Sequence, residues 1–309
     1  MSGETVRILL DTDIGSDVDD AMALCFALRS PEIALEGVTT VYGDVGLRAR
    51  IAMKLIALSG AGAIPVRAGI ARPLLRERPV HWMGHEGEGI LTDDDRGMPV
   101  SDGHAVDFIV GKVRENKGRL TLVAIGPLTN LAAAIIVAPE IVDEVKELIF
   151  IGGVARFGDN SLEVPALEWN VKCDPEAARV VFTSGIPLTM LGMDVTRRAE
   201  TRMDQSHLER MKRAGTPLSD AAARLVEIYW RRAEPKMRCI HDVLAVAYAF
   251  DRDLVRTERL KVEIETKGSC TSGFTLVTRD VERANADVGL EVRDRFLELF
   301  MSRLCGRQR

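Results

Sequence analysis

The chain has 309 residues, of which 46% are hydrophobic and 28% charged, with 26 glycines and 12 prolines. This composition is that of a globular protein with a sizeable core, and it excludes collagen-like and low-complexity sequences. The net charge is −5 and the basic residues are scattered, so the charge pattern of a nucleic-acid-binding protein is missing. The length favours a single domain over residues 1–309, and the charge pattern favours a small-molecule partner.

Cysteine usage and hydropathy bear on location. The five cysteines are odd in number, far apart and without a CxxC pair, which is typical of a reducing compartment. No basic segment followed by an apolar one precedes the first strand-like run at residues 6–10. The longest apolar run, residues 131–138, is far shorter than the roughly 20 residues needed to cross a bilayer. We therefore expect a cytoplasmic protein that does not enter a membrane.

Short β-rich runs alternate with amphipathic segments along the chain, which is typical of parallel βαβ units. The predicted strands cover residues 8–11, 37–42, 120–126, 148–153 and 187–192. The predicted helices cover residues 19–29, 47–58, 102–115, 174–184, 219–232, 242–250 and a terminal stretch, 289–304. Residues 261–266 and 274–278 predict a small appended hairpin. Because the strands are almost continuously apolar, we expect an α/β fold with an open, mostly parallel sheet covered by helices on both faces.

The first predicted strand leads into an acidic segment, residues 11–20, with the sequence DTDIGSDVDD. Open parallel sheets bind ligands beyond the carboxyl ends of their strands, so this segment lies where a ligand site is expected. Its five carboxylates repel one another unless a cation neutralises them, and an all-oxygen set of ligands favours calcium or magnesium. The simpler alternative is a solvated turn in which Asp17 or Asp19 caps the next helix, and for Asp17 taken alone this is the favoured interpretation.

Two other acidic motifs compete for this segment. An EF-hand does not fit because, counted from Asp11, glycine falls at position five instead of six and Met22 replaces the bidentate glutamate. A phosphatase that uses Asp11 as its nucleophile fits the order of strand and Asp-Thr-Asp. That hypothesis leaves Asp19 and Asp20 unexplained.

Further short motifs follow the acidic segment along the chain. In chain order they are residues 38–44 (VTTVYGD), 64–69 (IPVRAG), 72–74 (RPL), 84–87 (GHEG), 124–131 (AIGPLTNL), 151–153 (IGG), 168–170 (EWN), 174–178 (DPEAA) and 241–242 (HD). Together with the acidic segment, this series resembles the inosine-uridine preferring nucleoside hydrolases over nearly the whole chain. Where that family has Asp-x-Asp-x-Gly-x-Asp-Asp, the acidic segment carries two extra residues, which bring in Asp17. The resemblance implies a nucleoside hydrolase-like fold with a Rossmann-like core.

The resemblance implies cleavage of the N-glycosidic bond of ribonucleosides to free base and ribose. It implies a Ca²⁺ ion held by Asp13, Asp20, Asp242 and the backbone carbonyl of Ile125, with Asp13 also the general base toward a calcium-bound water. Asp19 is then expected to point away from Asp20 and to accept a hydrogen bond from a ribose hydroxyl. No zinc or dinucleotide site is expected.

The remaining ribose contacts follow from the same resemblance. It implies that Asn160, Glu168 and Asn170 bind the 3′ and 5′ hydroxyls, which is a strong source of discrimination because an unfilled polar site is penalised. Asp44 stands where many relatives have asparagine. When ionised it can accept a hydrogen bond from a ribose hydroxyl but cannot donate one.

Four further residues are candidates for acting on the base. His241 is the first candidate for protonating the departing base and His85 the second, because an unperturbed imidazole has a pKa close to neutrality. Trp82 and Tyr229 are candidates for stacking on the base. Base preference itself is not readable, since purine, pyrimidine and broad-spectrum relatives share the ribose and calcium residues.

Two other functions stay open at this point. A non-catalytic nucleoside or polyol binder would keep the metal site, but it has no need of a general base such as Asp13. A magnesium-dependent aspartyl phosphatase would use Asp11. For the hydrolase, the resemblance implies a nucleoside as substrate and a homodimer or homotetramer as assembly.

Overall fold

The computed structural model describes residues 5–155, 167–232 and 238–306, and within these ranges nine strands form one sheet. The strands are β1 (Val6–Thr12), β2 (Ile33–Thr40), β3 (Val66–Ala68), β4 (Leu120–Ala124), β5 (Glu147–Ile151), β6 (Leu188–Leu191), β7 (Val255–Ile264), β8 (Thr275–Thr278) and β9 (Ala286–Val292). Their order across the sheet is β3-β2-β1-β4-β5-β6-β9-β7-β8.

The α-helices of these ranges lie between the strands and after the last one. They are α1 (Asp19–Arg29), α2 (Val45–Ser59), α3 (Asp93–Gly97), α4 (Ala105–Glu115), α5 (Thr129–Val137), α6 (Ile141–Glu144), α7 (Trp169–Cys173), α8 (Pro175–Thr183), α9 (Met193–Thr196), α10 (Gln205–Ala214), α11 (Pro217–Trp230), α12 (Val243–Phe250) and α13 (Phe296–Cys305). None of the helices in the described ranges is both long and apolar enough to span a bilayer.

Strand direction explains where the polar loops meet. β1 pairs in parallel with β2 on one side and β4 on the other, so that Asp11 lies between Thr39 and Ala124. The pairing stays parallel through β5, β6 and β9, whereas β7 is antiparallel to both β9 and β8. β3 also pairs in parallel with β2, so the carboxyl ends of seven neighbouring strands share one edge, and the open, mostly parallel α/β sheet is confirmed.

The core lies on both faces of this sheet, and β1 contributes to each. Ile8 and Leu10 pack on one face with α1, α2, α11, α12 and α13, while Leu9 packs on the other with α4, α5 and α8. Complete burial of such a side chain contributes roughly 1.5–3 kcal/mol. This two-sided burial accounts for the continuous apolar sequence of the central strands.

The last third of the chain departs from the prediction in one place. Residues 286–292 form β9 and only residues 296–305 are helical, so the predicted terminal helix over 289–304 is wrong in its first turn. A Cβ at Gly289 would approach Leu191 Cδ2 to 2.9 Å, which shows how closely β9 packs. The predicted hairpin is confirmed as β7 and β8, and β7 joins it to the main sheet through β9.

Candidate active site

Polar side chains gather in a cleft of about 290 Å³ at the carboxyl edge of the sheet. They come from the loops after β1, β4, β5 and β6 and from the starts of α1, α7 and α12. The predicted site residues that line this cleft are Asp13, Asp19, Asp20, Ile125, Glu168, Asn170, His241 and Asp242. The fold therefore collects most of the predicted site from distant parts of the sequence.

Asp19, Asp20 and Asp242, here called the acidic trio, are buried with carboxylate oxygens within 4.8 Å of one another. The donors to them within the described ranges are few: Thr12 donates to Asp20, and the backbone N–H groups of Asp19 and His241 donate to the Asp19 carboxylate. Burial raises the pKa of all three carboxyls, and repulsion from nearby aspartates, including Asp13 and Asp17, raises it further. Such a set is stable in its ionised form only beside a positive charge, and its oxygen atoms suit a hard cation.

The acidic trio corrects two expectations. Asp19 points into the cluster with Asp20 instead of away from it. The first turn of α1 has no side-chain cap, because its N-cap residue is Val18, and Asp242 at the start of α12 makes no capping bond either. Helix capping therefore does not explain these carboxylates.

Asp13 lines the same cleft beside the end of β4. A Cβ on Gly126 would lie 2.9 Å from both the backbone nitrogen and Oδ1 of Asp13, so only glycine allows this approach. Burial raises the pKa of Asp13 to about 6, although the positive charge of Arg48 opposes the shift. In the metal-free chain, a carboxyl with that pKa is mostly ionised at neutral pH.

Asn170 and Glu168 brace the loops around the cleft. The Asn170 amide nitrogen donates to the carbonyls of Ile125 and Ile151, both at 2.9 Å. The Glu168 carboxylate accepts three backbone hydrogen bonds, two of them from the first turn of α7, and so caps that helix. Both side chains therefore have structural partners in addition to facing the cleft. Asn160 lies outside the described residues.

His241 lines the cleft immediately before Asp242. Burial, together with the nearby charge of Arg197, lowers the pKa of His241 to about 4. At pH 7 its imidazole is therefore neutral and can donate one N–H in a hydrogen bond, but it carries no second proton. Arg197 lines the cleft too, and it was not among the residues singled out from the sequence.

His85 and Tyr229 lie in a smaller pocket next to the cleft, and Asp17 lines both. The Tyr229 hydroxyl is hydrogen bonded to the Asp17 carboxylate, and His85 Nε2 lies 2.8 Å from the backbone carbonyl of Ser16. The inserted residue Asp17 thus joins the acidic segment to α11. His85 and Tyr229, both predicted from the sequence to act on the base, therefore line the same pocket.

Neither Trp82 nor Asp44 belongs to the described residues that line the cleft. The Trp82 ring packs against Gly43 and over the Arg48 guanidinium, 5.0 Å from its centre, while Met83 faces the cleft. Asp44 is exposed and caps α2, accepting a hydrogen bond of 2.9 Å from the backbone nitrogen of Leu47. Helix capping is thus the contact that the structure gives Asp44.

Asp11 contradicts the phosphatase hypothesis. It is buried beneath the cleft, where its Oδ1 accepts hydrogen bonds from Thr39 at 2.5 Å and Asn130 at 2.8 Å. Burial raises the pKa of Asp11 to about 7. A nucleophile must reach its substrate, and this carboxylate does not reach the cleft.

A family model for inosine-uridine preferring nucleoside hydrolases matches residues 8–298. The chain belongs to this family. It is 35% identical over 280 residues to the inosine-uridine preferring nucleoside hydrolase of Leishmania major, covering 88% of this chain and 87% of that protein. It is 34% identical to the pyrimidine-specific ribonucleoside hydrolase RihA of Photobacterium profundum, covering 96% of this chain and 98% of that one.

A solved structure agrees with both the fold and the family. The purine-preferring ribonucleoside hydrolase of Gardnerella vaginalis superposes with a TM-score of 0.85 at 31% identity, covering 97% of this chain and 98% of that chain. This member of the nucleoside hydrolase family is therefore an enzyme whose reaction class is ribonucleoside hydrolysis. The three relatives carry different base preferences in their names at similar identities, so base preference cannot be transferred from them.

Proposed function

We propose that this nucleoside hydrolase cleaves the N-glycosidic bond of ribonucleosides with calcium as its cofactor and Asp13 as its general base. The observation that carries the proposal is the position of Asp13 in one cleft with the acidic trio. The family supplies the reaction class, and the three close carboxylates supply the reason to expect a cation.

The donors in the cleft fit calcium. Asp20 and Asp242 are the acidic ligands expected from the sequence, and Asp19 joins them because its oxygen lies in the same cluster. Asp13 and the carbonyl of Ile125 complete the proposed set. When bound, calcium acts as a Lewis acid that lowers the pKa of a water molecule and orients the ribose hydroxyls.

Asp13 performs the proton transfer in this proposal. Its carboxylate accepts a proton from the attacking water, while Gly126 leaves room for that carboxylate beside the end of β4. Glu168 and Asn170 are proposed to contact ribose hydroxyls from the opposite wall, and Asn160 is proposed as a further contact. Since Glu168 and Asn170 already hold the surrounding backbone, the sugar meets a rigid surface.

The departing base needs stabilisation as negative charge develops on it. His241 is proposed to donate a hydrogen bond to the base from its neutral imidazole, and His85 remains the second candidate. Tyr229, whose hydroxyl is hydrogen bonded to Asp17, is proposed to contact the base from that side of the cleft. The sequence predicted substrate contacts for Trp82 and Asp44 as well, whereas in the structure Trp82 packs over Arg48 and Asp44 caps α2.

The first experiment is release of reducing sugar from inosine, adenosine, guanosine, uridine and cytidine, each with and without a chelator. We expect release that the chelator suppresses and calcium restores. Full activity in the presence of the chelator would show that hydrolysis does not require the metal. Absence of sugar release from every nucleoside would favour a non-catalytic binder. The same series ranks the bases, which neither the sequence nor the relatives' names can do.

Three coarser expectations accompany this proposal. We propose a single domain, supported by the one sheet to which all described strands belong. A homodimer or homotetramer follows from the resemblance alone, and light scattering coupled to size-exclusion chromatography tests it. Cytoplasmic location rests on the sequence features and is testable by fractionation.

A further inference from the structure

Arg48 is the largest fully buried side chain in the described ranges, although it is charged. It lies on α2 in the same stripe as Ile51 and Leu55, which belong to the core. A guanidinium in such a place is tolerated only when its donors are satisfied. The partners of Arg48 therefore indicate what it does.

Each guanidinium nitrogen of Arg48 donates to a turn at the carboxyl edge of the sheet. Nη1 donates to the backbone carbonyls of Asp13 and Ile14, the latter at 2.8 Å. Nη2 donates to Ser16 Oγ at 3.1 Å, and Nε donates to the backbone carbonyl of Tyr42 at 2.6 Å. Only a planar group with several fixed donors can serve these directions at once.

The two turns that Arg48 contacts have unusual backbone conformations. Gly15, between Ile14 and Ser16, has φ +120°, and Tyr42 has φ 65°, which is rare for a residue other than glycine. These turns follow β1 and β2. A backbone in a sparsely populated conformation persists when surrounding contacts fix it, and Arg48 supplies contacts to both turns.

Arg48 and Ser16 also connect the acidic segment to the loop that carries His85. Ser16 Oγ donates to the buried Glu86 carboxylate at 2.9 Å, and the carbonyl of Ser16 lies 2.8 Å from His85 Nε2. The Trp82 ring stacks over the guanidinium itself. The acidic segment and the 82–86 loop are therefore held against one buried side chain.

We propose that Arg48 is a positioning residue for hydrolysis. It fixes the backbone of residues 13–16, which sets the direction of the Asp13 carboxylate and the position of the 82–86 loop that carries His85. This inference rests on the proposed function, because that function makes Asp13 the base. Arg48 lies beneath the acidic segment, and its described partners are protein groups, so it acts through the residues that it holds.

The test compares Arg48→Lys and Arg48→Gln with Arg50→Lys and Arg50→Gln. Arg50 is a matched control because it lies on the same helix and donates from Nε to a backbone carbonyl, that of Met98, at 2.8 Å. A displacement of the base by about 1 Å can cost on the order of 100-fold, so we expect kcat of the Arg48 variants to fall by about that factor. KM for the nucleoside should change much less, and the Arg50 variants should keep kcat close to the parent value.

Hydrogen–deuterium exchange of amides 13–17 and calcium binding by calorimetry provide readouts other than activity. We expect faster exchange in residues 13–17 and weaker calcium binding in both Arg48 variants, with neither change in the Arg50 variants. If Arg48→Gln does not fold, Arg48→Lys carries the test, since it keeps the charge and loses the planar fork.

Two results would overturn the inference: Arg48 variants with the kcat of the Arg50 variants, or a lower kcat with unchanged exchange in residues 13–17. Failure of the proposed function gives a different pattern. In that case the parent chain itself releases no sugar from any nucleoside. Exchange and calcium binding would then still decide whether Arg48 holds the acidic segment.

Discussion

Two regions of this molecule bury carboxylates in opposite surroundings. Asp174, at the start of α8, is fully buried and accepts hydrogen bonds from the backbone nitrogens of Leu74 (2.8 Å) and Ala177 (3.1 Å) and from the hydroxyl of Thr129 (2.7 Å). The acidic trio is equally buried, yet its carboxylates chiefly face one another.

The difference shows that burial alone does not reveal what an acidic residue does. The Asp174 charge is distributed over donors of the framework, so it ties α8 to the segment around Leu74 and to α5. The charges of the acidic trio repel one another, and a bound cation would relieve that repulsion. We therefore expect the two regions to respond in opposite ways to mutation and to calcium.

Replacement of the proposed base should have the largest effect. Asp13→Asn keeps the shape of the side chain but cannot accept the proton, so kcat should fall by about 10²–10⁴-fold, the usual contribution of a general base. Sugar release measures kcat, and circular dichroism should show an unchanged fold. A variant with near-native kcat would show that Asp13 is not the base.

Matched variants of the two regions should separate ion binding from stability. Asp242→Asn should weaken calcium binding by more than about 100-fold, the upper end of what loss of an outer-sphere partner costs. It should leave the metal-free protein at least as stable, because it removes repulsion. Asp174→Ala should lower the free energy of unfolding by roughly 2–4 kcal/mol, since it leaves buried donors unpaired, and should keep calcium binding.

Calorimetry and urea unfolding measure both effects of this matched pair. The comparison fails if Asp174→Ala loses calcium binding as severely as Asp242→Asn does. It also fails if Asp242→Asn destabilises the metal-free protein as much as Asp174→Ala.

The metal-free protein should lose stability as pH rises from about 4 to about 7. Burial raises the pKa of Asp13 to about 6 and that of Asp11 to about 7, above the ordinary value of 3.8. In this window the folded chain therefore holds protons that the unfolded chain has released, so the free energy of unfolding falls with pH. Thermal melting in a chelator should show the fall, and calcium should reduce it. A melting temperature that rises across this window would contradict the prediction.

The smallest expected effect concerns Asp44, whose carboxylate caps α2 outside the cleft. Asp44→Ala should cost about 1 kcal/mol of stability, as loss of an N-cap commonly does. Asp44→Asn should cost less because its side-chain oxygen can still accept the hydrogen bond from Leu47. KM for the preferred nucleoside should be nearly unchanged in both variants. A large rise in KM would restore Asp44 to the substrate site.

The sequence predicted the parallel part of the sheet well because each central strand is apolar on both faces and ends in a polar loop. It failed at residues 289–292, where β9 ends only three residues before α13 begins and so short a stretch has no period that separates strand from helix. β3 was missed because it has only three residues. The sequence contained too little periodic signal at both places.

The site residues could be predicted where the residue type alone indicates the chemistry, as in the acidic segment and at His241 and Asp242. They could not be predicted where the direction of a side chain determines its contacts. The side chains of Asp19, Trp82 and Asp44 all point elsewhere than expected. Arg48 was missed, although an arginine at the spacing of Ile51 and Leu55 was a visible signal. A charge in the apolar stripe of a helix indicates a partner inside the fold.

The acidic trio also bears on the order in which this chain can mature. Asp19 and Asp20 leave the ribosome early, whereas Asp242 follows about 220 residues later and approaches them only when α12 packs against α1. A nascent chain therefore lacks the complete cluster until most of it has been synthesised. Tight calcium binding would then mark a finished molecule, because it needs the first helix and the twelfth together.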